Sequence, residues 1–180
     1  MRTVLTVFLA ICLSAWVYAS EQGIQHTREA IDILKSHLAA AEQSGAVSQQ
    51  ELQERKLELI EGRILLAELE NQPDAVTSLL QEIVEHWAAA ESRRMELVKA
   101  GVGSAEGLLS ARRESLAART RLAQHTSDRA ALQQLSKQCV ELETQRLEEM
   151  KEFAKAGLVP QSELARQRIR IVRASRISKE

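Results

Sequence analysis

The chain has 180 residues, and 24 Lys and Arg stand against 25 Asp and Glu, so its formal net charge of −1 creates no global field toward nucleic acid or membrane. Aromatic residues make up 3% of it and prolines number two, which excludes a β-sandwich and an aromatic-lined ligand pocket. Ala, Leu, Glu, Gln, Arg and Lys dominate instead, the composition of long helices and coiled coils.

Residues 1–19 have the three parts of a secretory signal: Arg2, an apolar run from Val4 to Trp16, and the small-residue cleavage site Val17-Tyr18-Ala19. Cleavage there starts the mature chain at Ser20. The run is shorter than the ~20 residues that span a bilayer, and polar Glu21, Gln22 and Gln25 follow at once. An uncleaved anchor is the alternative. Ile11 before Cys12 is too large for a lipidation signal.

The rest, 20–180, is expected to be one all-α hairpin-repeat domain. Gly45, Gly101 and Gly157 stand 56 residues apart, twice over, and the residues around them agree. Leu52, Leu108 and Leu164 coincide, as do Ile60, Leu116 and Val172, and the small residues Gly62, Ala118 and Ala174. Each glycine fits the position just past a helix end, where φ is positive and a side chain would clash. A new start follows three residues later. Ser48 with Glu51 forms a capping box, with Val47 and Leu52 as its hydrophobic staple; Ser104 caps the second copy; Pro160 suits the first turn of the third.

Asn71-Gln72-Pro73-Asp74 and His125-Thr126-Ser127-Asp128 break the chain between these turns. The result is three consecutive antiparallel, coiled-coil-like hairpins over about 22–70, 73–125 and 127–180. Their six helices cover roughly 22–43, 48–70, 73–100, 104–125, 127–156 and 160–180, each ~35 to 45 Å long. A period of 56 is a multiple of seven and keeps the apolar seam in phase from unit to unit. The pattern alone fits both an extended arrangement and a compact bundle.

No catalytic residue, cofactor or metal is expected. No two of His26, His37, His86 and His125 stand three or four apart, as a helical metal site requires. His86, beside Glu85 and Trp87, reads as a boundary-layer histidine. Glu141, Glu143, Glu148 and Glu149 read as the solvated face of a helix. Cys139, in register with Leu132, Leu135 and Leu142, reads as a buried thiol, with an intermolecular disulfide as the rival. Arg166, Arg168, Arg170, Arg173, Arg176 and Lys179 make the last helix basic, either as a solvated end or as a contact for acidic lipid or an acidic partner.

The stretch LVKAGVGSAEGLLSARRESLAARTRLAQ, 97–124, resembles the helical repeats of TolC-like outer-membrane efflux proteins, with their Gly-x-x-Ser turn and Leu-Leu-x-Ala run. It is also similar to the hairpin tip of periplasmic adaptor (membrane fusion) proteins. In that family an arginine, a leucine four residues on and a serine seven further on meet the channel; Arg93, Leu97 and Ser104 stand at that spacing, with Gly101 in the turn. The first repeat keeps only the serine, in His37, Ala41 and Ser48. The third, Glu149, Phe153 and Pro160, keeps none. Adaptors also need lipoyl and β-barrel domains and channels need membrane strands, and the sequence carries no strand pattern for either.

The resemblance implies Arg93, Leu97, Gly101 and Ser104 as a partner-binding tip and the periplasm as location. The expected function is that of a non-enzymatic exported scaffold or accessory protein whose partners are coiled coils of efflux or envelope components. Self-association through an uncovered seam is a further expectation; nucleic acid and a stable span after signal removal are not expected. The alternative is a periplasmic metal-stress sensor or chaperone-like helical protein.

Overall fold

The computed structural model describes the backbone of residues 2–177 and the side chains of 21–177. The signal segment expected over 1–19, Cys12 within it, lies outside the described side chains, as does Lys179. Among the described residues the fold is entirely helical, with no strand. Its elements are α1 (Arg2–Ser44), α2 (Gln49–Leu69), α3 (Pro73–Lys99), α4 (Ala105–His125), α5 (Arg129–Lys155) and α6 (Gln161–Ala174). No helix among the described residues is long and apolar enough to cross a membrane.

The turns form for the reason their sequence suggests. Gly45, Gly101 and Gly157 have φ of 60°, 75° and 74°. At the second and third turns the glycine N–H donates to Val98 and Ala154 carbonyls, while the next N–H reaches back to Leu97 and Phe153. This paired pattern satisfies carbonyls that a helix end leaves open. Ser48 and Ser104 then accept from Glu51 N–H at 3.2 Å and Gly107 N–H at 3.0 Å. Only this half of the expected capping box is present, because Glu51 instead accepts from Arg55 at 2.7 Å. Pro160 precedes α6 as its cap, with ψ 150°, one place before the first turn.

The opposite turns use the same geometry without glycine. Asn71 and Ser127, themselves 56 residues apart, have φ of 56° and 55°. Gln72 and Asp128 N–H donate back to Ala67 and Ala123 at 2.8 Å. Asp128 then caps α5 by accepting from Ala131 N–H at 3.0 Å. The period therefore governs both sets of turns.

The chain forms two compact units, Met1–Glu82 and Ile83–Glu180, with the boundary inside α3. In the first, α1 packs on α2. A Cβ on Gly62 would stand 3.3 Å from Ile31, so the missing side chain permits the close approach. Ile31, Ala41, Ile64, Ala67, Val76, Leu79 and Leu80 are buried there. Arg28 of α1 pairs with Glu70 at 2.6 Å, Lys56 of α2 with Glu42 at 2.9 Å.

In the second unit α5 packs on both α4 and α6. Ala118 and Ala174, the counterparts of Gly62, are buried. One apolar cluster joins Ala123 to Leu132 and Leu135; another joins Leu147 and Met150 to Leu164. The last helix is shorter than expected from the sequence. It ends at Ala174, tightens through an Arg176 to Arg173 hydrogen bond of 3.0 Å, and places Ile177 against the Ala123 cluster.

Candidate functional site at the second hairpin tip

The tip between α3 and α4 is shaped by backbone hydrogen bonds. The Leu97 carbonyl accepts from Val102 N–H at 3.0 Å and from Gly103 N–H at 2.9 Å, folding the loop onto the helix end. A Cβ at Gly103 would lie 2.8 Å from Val98 N and 2.9 Å from Leu97. Neither side chain that would normally shelter this turn is covered: Leu97 is exposed, and Val102 is 75% exposed.

Of the four residues expected at this tip, the structure brings Arg93 and Leu97 together. They line one shallow, mostly apolar depression on α3 with Ser92, Glu96 and Ala100. Gly101 supplies the turn. The Ser104 oxygen serves as the α4 cap rather than lining that depression. Arg93 makes no ion pair among the described residues, whereas Glu96 beside it pairs with Lys99 at 2.9 Å.

The third tip adds what the residue-by-residue comparison missed. Phe153 and Leu158 occupy the places of Leu97 and Val102, and Leu158 is 71% exposed. Its backbone repeats the second tip, Leu158 N–H donating to Phe153 O at 2.9 Å. The signal was present in the 56-residue spacing but not in residue identity. The first tip differs, with Ala41 buried and Ala46 small. Within the second unit, Arg146 of α5 ties the two apolar tips to one end, pairing with Glu106 at 2.6 Å and with Glu149 at 3.3 Å.

One polar cluster corrects the sequence reading. Glu141, Glu148 and Glu149 are exposed, but Glu143 is only 8% exposed. Arg113 Nε and Nη2 donate to its two oxygens at 2.8 and 2.7 Å. Gln167 Nε2 donates to its Oε2 at 2.6 Å and to its backbone carbonyl at 2.7 Å. Burial alone would raise the Glu143 pKa; the hydrogen bonds from Arg113 and Gln167 and the charges of Arg113 and Arg170 outweigh it and hold the carboxyl lower. The carboxylate thus joins three helices and is fully occupied in doing so.

Other candidate groups are dispersed. His86 stacks edge-on to Trp87 with ring centroids 5.2 Å apart, and burial, aided by Arg93, lowers its pKa. Cys139 is half-buried; burial and nearby Glu143 push its thiol up, away from the reactive thiolate. Among the described residues no three His, Cys, Asp or Glu side chains form a metal-binding group. Comparison of the chain with protein-family models, with curated proteins and with solved structures gives no match.

Proposed function

We propose that this protein is an exported scaffold or accessory component that acts by docking its apolar tips onto helical partners of the cell envelope, including the coiled coils of an efflux or transport assembly. The exposed pairs Leu97 with Val102 and Phe153 with Leu158 carry this reading. Large apolar side chains held outward by a rigid turn lose little entropy on binding, and contiguous exposed apolar surface characterises interaction sites. Unpaired Arg93 beside Leu97 offers a charged anchor at the rim of the same depression. The similarity to adaptor tips suggests the class of partner and the periplasm, and the signal segment suggests export.

Binding to a purified TolC-like channel and to a periplasmic adaptor tests the proposal. Wild type is compared with a variant carrying Arg93→Ala, Leu97→Ala and Val102→Ala, leaving the Ser104 cap intact. Binding by wild type and at least a tenfold loss in the variant supports it, a ratio equal to about 1.4 kcal/mol. Equal binding by both, or by neither, removes the tip from the mechanism.

A further inference from the structure

The repeat makes it meaningful to compare each helix face with its counterpart one period away. At the junction of α4 and α5, the α4 side presents Leu109, Arg112 and Leu116 to the grooves, with Arg113 beside them bound to Glu143; all four are half-buried. From α5, Gln138, Glu141, Leu142 and Gln145 face them across grooves that also take in Arg112 and Leu116 or Leu109. One period on from the α4 set stand Ala165, Arg168, Ile169 and Val172 of α6. All four are exposed, Ile169 and Val172 at 53% each.

The other half of the junction has its counterpart in α1. Two periods before Gln138, Glu141, Leu142 and Gln145 stand His26, Glu29, Ala30 and Ile33. These too are all exposed, Ile33 at 57%. The first and last helices therefore display the two halves of a junction that the chain itself completes between α4 and α5.

The charges also match. Of the exposed arginines of α6, Arg168 lies within this face and makes no ion pair among the described residues, whereas Arg166 and Arg173 stand about a quarter-turn or more around the helix. In α1 the acid within the counterpart face is Glu29, while Asp32 and Glu42 are already paired with Lys35 at 3.3 Å and with Lys56 at 2.9 Å. Arg168 and Glu29 hold the positions of Arg112 and Glu141, which line one groove where Arg112 pairs with Glu91 of α3 at 3.4 Å.

We propose that α6 of one copy docks on α1 of a second copy, reproducing the α4–α5 junction between chains, with Ile169 and Val172 meeting Ala30 and Ile33 and Arg168 facing Glu29. The contact is head to tail, so each copy retains one free face of each kind until the series closes or continues. It is independent of tip docking, because Leu97, Val102, Phe153 and Leu158 are not part of either face.

The test needs no added partner: light scattering on the full chain across a concentration series, with far-UV circular dichroism to verify folding. Wild type is expected to grow in mass with concentration. Ile33→Asp alone and the pair Ile169→Asp with Val172→Asp alone each lose this growth. Mixed in equal amounts, the two variants are expected to double in mass and stop, since each supplies the face that the other lacks. Arg168→Glu weakens assembly and Glu29→Arg in the same chain restores it. A wild type that stays monomeric, blocked variants that still assemble, or folded variants that fail to pair when mixed would each overturn the proposal.

Discussion

Arg113 of α4 grips Glu143 of α5 through both carboxylate oxygens, at 2.8 and 2.7 Å, in a position where Glu143 is almost wholly buried. A bidentate pair of this kind fixes direction as well as distance. With Gln167 donating to the same carboxylate, one side chain sets how α4, α5 and α6 are placed along one another.

Removing Arg113 leaves that carboxylate buried with half its partners gone. Arg113→Ala is expected to destabilise the second unit by about 3 kcal/mol, read from denaturant unfolding. Glu143→Gln, which removes the charge and keeps the shape, should be milder. An effect of Arg113→Ala within error of zero would show that the contact is not maintained in solution.

The same group sets an acid limit. Its pKa is lower in the folded chain than in the unfolded one, so its contribution is complete above the unfolded value and is lost as pH falls through the folded value. The expected result is a fall in Tm on acidification through the carboxylate range, and a smaller fall in Glu143→Gln over the same interval.

His86 acts at milder pH. Its folded pKa lies below the unfolded one, so the neutral ring is favoured in the native state; stability is full above the unfolded value and declines as pH drops below it. Burial is the main cause and Arg93 the second, so Arg93→Ala should raise the His86 pKa partway toward its ordinary value, as measured by NMR titration. No movement of that resonance would break the link between Arg93 and His86.

Ser127 and Gly101 should respond in opposite directions to a change at the left-handed turn position. Ser127→Gly relieves a backbone that L side chains rarely adopt and is expected to add about 0.5–1 kcal/mol of stability. Gly101→Ala imposes the same conformation on a side chain and should subtract about 1 kcal/mol. Thermal unfolding of both variants reads the signs directly.

Cys139 should label slowly with iodoacetamide in the native protein, faster as pH rises, and faster again once the chain is unfolded. Half-burial limits access, and the raised pKa leaves little thiolate at neutral pH. Equal rates in native and unfolded protein would contradict this placement.

The helices and turns were legible because their signals are local. Gly45, Gly101 and Gly157 announce a left-handed residue, Ser48 and Ser104 an N-cap, and each acts within a few neighbours. Asn71 and Ser127 adopt the same backbone with side chains that other conformations also suit, so only their place in the break was legible. Glu143 went unrecognised for a different reason. It lies on the stripe of Ser136, Leu147 and Met150, but what makes a charge tolerable there is Arg113, thirty residues away on another helix. At the candidate tip, the resemblance to adaptor tips pointed to Arg93 and Leu97, while the outward Val102, Phe153 and Leu158 depend on how the turn folds.

The 56-residue spacing of Gly101 with Gly157 and of Asn71 with Ser127 makes the turn grammar independent of copy number. A chain lengthened by one whole period would inherit a left-handed residue at each reversal. Duplication of such a segment requires no new turn to be invented, so length is the property of this architecture that is easiest to change.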